Sequence, residues 1–244
     1  MIFRIILLVF FPVVSCAQQM IWIDGGSYTP LYGNARQQQV VKGFFIDESP
    51  VTNAAFLDFV LNEPTWQKSK VKRIFADKNY LRSWLTDTTF ASSIAQMPVT
   101  DISWFAAKAY CECQGKRLLT IDEWEFVAMA NETLQDARKD SLTNVKLLDQ
   151  MQSHRTHLRP IKQNAPNIYG VYDLHGLVWE WTYDFNAIMI SGENRNNNDQ
   201  ALFCGAGALS ATDLMDYVAF MRYAFRASLN ANFTIGSLGF RCAK

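Results

Sequence analysis

The sequence predicts an α+β fold made of short strands, a few capped helices and long ordered loops. Three observations carry that expectation. Short apolar runs alternate with Gly and Asn turns in the first fifty and the last forty residues, three segments between residues 52 and 127 carry helix-start signatures, and aromatic residues reach 14% with seven Trp. Such an aromatic load suits loops pinned by large side chains. Hydrophobic residues make up 49% and charged residues 19% of the 244, ample for a core and far from a disordered composition. Neither an internal repeat nor a low-complexity linker breaks the chain, so one domain is expected.

Taken in order, Ile21-Trp22-Ile23, a turn at Asp24-Gly25-Gly26-Ser27, Val40-Val41 and Phe44-Phe45-Ile46 read as strands around turns. Thr52 is placed to cap a helix reaching about Leu61, with Ala55, Phe56, Phe59 and Val60 on its inner face. A second helix is predicted from near Ser103 through Trp104, Ala107 and Tyr110 to a stop at Gly115. Thr120 followed by Glu123 forms a capping-box pattern ahead of Trp124, Phe126 and Val127. Residues 131–162, polar and helix-permissive, read as a surface excursion. Residues 168–185 are aromatic and turn-rich, and 191–200 form a hydrophilic loop.

Lys plus Arg and Asp plus Glu number 23 each, a formal net charge of zero, so no global field gathers nucleic acid. At the N-terminus Arg4 precedes an apolar run from Ile5 to Val14 that is too short to span a bilayer, which takes about 20 residues. Residues 1–16 therefore read as an export signal, and Val13-Val14-Ser15-Cys16 resembles a bacterial lipobox, in which Cys16 would be lipidated. An ordinary signal cleaved near Ala17 is the other reading. The expected location is the periplasm or a membrane facing it, with membrane contact only through that lipid anchor. Export makes disulfides the default for Cys111, Cys113, Cys204 and Cys242. Three pairings are open, and the one joining Cys111 to Cys113 is disfavoured because i and i+2 side chains diverge on a helix.

Four blocks, in order, resemble the formylglycine-generating-enzyme (sulfatase-modifying factor) family: "GGSYTPLYG" with "FFIDESPVTNAAFLDFV", "MPVTDISWFAAKAYCECQGKRLLTIDEWEFVA", "NIYGVYDLHGLVWEWTYDF" and "FRASLNANFTIGSLGFRCAK". The resemblance spans nearly all of residues 20–244 and implies a variant of the C-type lectin fold. Active members similar to this chain use two C-terminal cysteines to hold Cu(I), since soft thiolates suit that ion. They lie thirteen and eight residues before an Arg matched here by Arg226, which places Asp213 and Val218 at those positions. Neither is a thiol, so the resemblance implies no catalytic residue for formylglycine formation.

In the family's Gly-Asn-Val-Trp-Glu-Trp block, the Asn and the Glu help hold calcium; here Glu180 remains while Leu177 replaces the amide. Calcium and copper are thus both conceivable, and neither has a complete ligand set. By the same resemblance Trp179, Trp181 and Arg226, with Asp213 and His175, would line the remnant cleft, structural packing being the other reading for the two Trp and the Arg, and Cys111 would bond to Cys242. His175 reads as a copper ligand, a general base or a hydrogen-bonded loop residue. His154 and His157 form a weak metal pair or a solvated one. Met215 and Met221, with Asp213 and Asp216, offer thioethers for Cu(I) or plain core packing.

"YDLHGLVWEW" and "DYVAFMRYAFRAS" are more similar to family members found with copper nitrite reductase-type proteins than to sulfatase modifiers. That implies a binding or accessory module for maturation of an exported metalloenzyme, with another exported protein as partner. The competing expectation is an oxidoreductase acting on a thiol or sulfur compound through another metal or residue set.

Overall fold

A computed structural model describes residues 18–31, 37–153, 158–186 and 214–244, with backbone alone at 151–153 and 214–217. β1 (Met20–Ile23) pairs antiparallel with β4 (Phe44–Asp47), setting Ile21 opposite Ile46 and Ile23 opposite Phe44. Strand alternation buries Ile23, Phe44 and Ile46 and leaves Trp22 and Phe45 on the outer face. The expected turn at 24–27 is tighter than the sequence suggested, because β2 (Gly26–Tyr28) starts inside it to pair with β3 (Gln39–Val41). Gly25 makes that possible: a Cβ there would lie 2.3 Å from the Val41 carbonyl oxygen.

The three expected helices form where their caps place them. In α1 (Asn53–Asn62) the Thr52 side chain accepts the Ala55 N–H, and Phe56, Phe59 and Val60 face inward. Ser103 does the same for α2 (Trp104–Cys113), which ends at Gly115 with φ +65°. β5 (Arg117–Leu118) leads into α3 (Ile121–Ala128), whose capping box is complete: Glu123 N–H donates to Thr120 Oγ1, and the Thr120 N–H donates to the Glu123 carboxylate. The 131–162 excursion contains α4 (Ser141–Ser153).

The C-terminal part departs from expectation. Short runs were expected there, but α5 (Leu214–Ala227) is a fourteen-residue helix followed by β7 (Leu238–Gly239) and β8 (Cys242–Ala243). The reason lies in the segment's 3.6-residue periodicity, with Val218, Arg222 and Phe225 recurring along one side. β8 enters between β4 and β5 to complete a four-stranded sheet of order β1-β4-β8-β5, and β6 (Trp179–Glu180) runs parallel to β7. One core lies around α1 and α2, built on Phe56, Phe59, Tyr110, Trp181 and Phe240. A second sits under β4 and α3, from Ile23, Tyr28, Ile46, Trp124 and Val127, and a small third joins Leu147 to Val218. Each large apolar side chain buried this way contributes about 1.5–3 kcal/mol.

Cys111 and Cys242, both fully buried, are joined by a disulfide that fastens β8 to α2. Cys113 is exposed with a free thiol. Residues 1–16, Cys204, the 191–200 loop, His154, His157 and Asp213 lie outside the described residues. Among those described, no helix is long and apolar enough to cross a membrane.

Candidate functional site

The capping box at Thr120 fixes the start of α3, and one turn later the helix presents Trp124 and Glu125 to α5. Glu125 Oε1 accepts from Arg226 Nη1 at 2.6 Å and from Arg222 Nε at 3.0 Å, while Oε2 accepts from Arg222 Nη2 at 2.6 Å. Burial alone would raise the Glu125 pKa, but the two guanidinium groups hold it down at about 2. Both arginines also lie over the Trp124 ring, at 5.5 and 4.9 Å from its centroid. Among the described residues, the buried Arg222 Nη1 finds no hydrogen-bond partner. Beside this cluster the Tyr28 hydroxyl donates to Asp122 at 2.6 Å, and burial followed by that carboxylate pushes the phenol pKa well above its usual range.

Trp124 links this cluster to a second one. Its Nε1 donates to Glu180 Oε2 at 2.8 Å, and both Glu180 oxygens accept from Arg241 Nε at 3.0 Å, with Arg241 Nη2 on Oε1 at 2.8 Å. Arg241 is fully buried and donates also to the Tyr172 carbonyl. One residue on, the Cys242 N–H donates to Asp47, whose other oxygen takes Lys116 Nζ at 2.6 Å. Burial raises the Asp47 pKa, and Lys116 opposes it. A chain of charge-assisted bonds thus ties β4, β6, α3, α5 and β8 into one unit.

Beside α3 a cavity of about 90 Å³ opens, bounded by residues 128–132, the Thr143–Gln150 face of α4 and residues 164–175. His175 lines it, with Nε2 bonded to the Ala128 carbonyl at 2.9 Å and the ring edge-on to Trp124. The lining amides already have structural work: Asn131 Oδ1 accepts the N–H groups of Thr133 and Leu134, and Asn167 Oδ1 those of Tyr169 and Val171. His175 is thus a hydrogen-bonded residue of the cavity wall.

The model of the sulfatase-modifying factor enzyme 1-like domain matches residues 11–244. The chain belongs to this family. Inactive C-alpha-formylglycine-generating enzyme 2 of Bos taurus is 28% identical over 246 residues, covering 85% of this chain and 79% of that protein. Serine/threonine-protein kinase pkn1 of Chlamydia pneumoniae is 26% identical over 252 residues and 93% of this chain, which spans only 38% of the kinase's length. Among solved structures, PvdO from Pseudomonas aeruginosa superposes with a TM-score of 0.53 at 18% identity, over 94% of this chain and 95% of that one. That likeness concerns the fold.

Within this sulfatase-modifying factor domain the expected cleft residues separate. Trp181 is fully buried, its Nε1 donating to the Ile102 carbonyl, so it belongs to the core and not to a cleft. Arg226 is likewise buried, against Glu125 and Trp124. Trp179 is half-buried and stacks on Phe225 at 4.6 Å. Glu180, weighed as a calcium ligand, is the counter-ion of Arg241, and the neighbouring Leu177 is buried and apolar. A carboxylate already bridged by a guanidinium and an indole does not fit a hard cation that wants six or more oxygens. Val218 fits copper no better: it is buried against Leu147 of α4 and offers no donor atom. Met221 is half-buried on α5, and the side chains of Met215 and Asp216 are not described. Among the described residues no group of three His, Cys, Asp or Glu gathers for a metal ion. Glu125 and Arg222 escaped the sequence reading, although the Trp124-Glu125 pair inside a capped helix and an Arg222–Arg226 spacing of one turn were visible in it.

Proposed function

We propose that this chain is an exported, non-catalytic member of its family, a binding or accessory module serving maturation of an exported metalloenzyme. The observation that carries the non-catalytic reading is Val218, a buried valine packed on Leu147 where the family resemblance calls for a copper thiolate. The name of the bovine relative, an inactive formylglycine-generating enzyme, points the same way. Support for export comes from the Cys16 lipobox and from the Cys111–Cys242 disulfide, a bond that persists in oxidising compartments. The metalloenzyme partner rests on the sequence resemblance of the 172–181 and 216–228 segments alone.

The test is direct. A peptide carrying the sulfatase Cys-x-Pro-x-Arg pattern, incubated with the purified protein, Cu(I) and oxygen, should keep its cysteine mass. Conversion to formylglycine at a rate above that of copper alone would overturn the reading.

A further inference from the structure

The stretch from Lys68 to Arg82 carries Lys68, Lys70, Lys72, Arg73, Lys78 and Arg82 against one acid, Asp77, in a chain whose formal charge is zero. The rest of the molecule is therefore acidic by five charges, and its basic surplus is concentrated in fifteen residues. Asp77 is engaged by the hydroxyl and amide of Thr234. Lys68 donates to the Trp84 carbonyl at 2.7 Å, and Arg82 reaches Asp101 at 3.6 Å. Lys70, Lys72, Arg73 and Lys78 are exposed and enter no ion pair among the described residues, although Lys70 lies near the Asp87 carboxylate that Ser69 holds.

Apolar side chains stand among these cations. Ile74 is 71% exposed and Phe75 39% exposed. The Phe75 ring is held firmly, 6.1 Å from Trp66 and edge-on to Phe105 at 5.4 Å, so the neighbouring Ile74 is presented outward from a fixed mount. The backbone is anchored too, with the Asp77 N–H on the Asn232 carbonyl and the Phe75 N–H on the Lys72 carbonyl. A rigid surface with unpaired cations around a protruding aliphatic side chain is suited to something anionic and apolar at once.

We propose that residues 70–78 form a docking surface for an anionic lipid bilayer, with Lys70, Lys72, Arg73 and Lys78 over phosphate headgroups and Ile74 entering the interface. Three of the four unpaired cations are Lys, a residue depleted from protein–protein interfaces and well matched, as a hydrated point charge, to headgroup phosphates. The acidic remainder of the chain is repelled by the same bilayer, so the charge asymmetry also orients the molecule. None of this depends on the accessory role proposed above.

Flotation of the full chain with liposomes tests it, comparing pure phosphatidylcholine with phosphatidylcholine containing phosphatidylglycerol. Any N-terminal anchor contributes to both, so the difference between the two compositions reads the patch. The anionic liposomes should bind more protein at 0.1 M NaCl, and the difference should vanish at 0.5 M. Lys70→Gln/Lys72→Gln/Arg73→Gln should cut the extra partitioning about a hundredfold, taking about 1 kcal/mol per cation. Ile74→Ser should cut it by about tenfold at unchanged charge. Equal binding to both compositions, or anionic binding indifferent to the triple variant, would overturn the proposal. Preference for soluble polyglutamate over anionic liposomes, with Ile74→Ser inert, would assign the patch to an acidic polypeptide and overturn it as well.

Discussion

Arg226 Nη1 donates to Glu125 Oε1 at 2.6 Å across 101 residues of sequence, and it lies on the Trp124 ring while doing so. Arg222, one turn earlier on α5, takes both oxygens of the same carboxylate. One anion therefore holds two cations in a nearly closed interior, and removing it leaves both uncompensated.

Glu125→Gln should cost about 3–5 kcal/mol, the range for breaking a buried pair from one side. Thermal unfolding at pH 7 measures it, with a fall of about 10 °C expected for a domain of this size. A shift below 2 °C would show that the cluster is solvated.

The same carboxylate sets an acid limit. Its folded pKa is depressed to about 2, below an ordinary value of about 4.3, so its stabilisation is fully present above the ordinary value and is lost as pH falls toward 2. The two values differ by roughly 2 units, or about 3 kcal/mol. Urea midpoints measured between pH 5 and pH 2.5 should fall more steeply for the wild type than for Glu125→Gln.

Cys242→Ser opens a loop closed over 131 residues, for which chain entropy sets an upper figure of about 4–5 kcal/mol. Cys113→Ser, at an exposed position, should stay within about 0.5 kcal/mol of wild type. Non-reducing peptide mapping should recover the 111–242 link, and equal melting temperatures for the two variants would refute the stapling role.

Leu147→Ala removes the α4 partner of Val218 and should cost about 2–4 kcal/mol. Because α4 and α5 meet there, hydrogen exchange should rise in both helices together; a rise confined to α4 would show that Val218 finds its packing elsewhere.

For the N-terminus, metabolic labelling with a fatty acid should mark the wild type, and Cys16→Ser should abolish the label. A wild type without label would leave only a plain cleaved signal.

Helices were legible wherever a cap announced them. Thr52, Ser103 and Thr120 each stand where a side chain must satisfy orphan N–H groups, and each helix begins on the next residue. α5 was readable in principle, since Arg226 in its last turn and the Val218–Phe225 recurrence are helical features. The site was harder because Trp181 and Arg226 look alike as cleft or core in one dimension. Only the third dimension shows Trp181 sealed under Ile102 and Arg226 turned to Glu125. The Cys242 N–H to Asp47 carboxylate bond spans 195 residues of sequence and leaves no local trace.

The position of β8 between β4 and β5 has a kinetic consequence. A chain emerging from its N-terminus would hold both flanking strands long before the strand that joins them, so the sheet can start at β1–β4 but cannot be completed before β8 arrives. Closure waits on contacts of very high sequence separation, the class that slows folding most. Until then neither the Cys111–Cys242 bond nor the bond from the Cys242 N–H to Asp47 can form. The Cys111–Cys242 bond, which needs β8 in place, then fastens the last-arriving strand to α2.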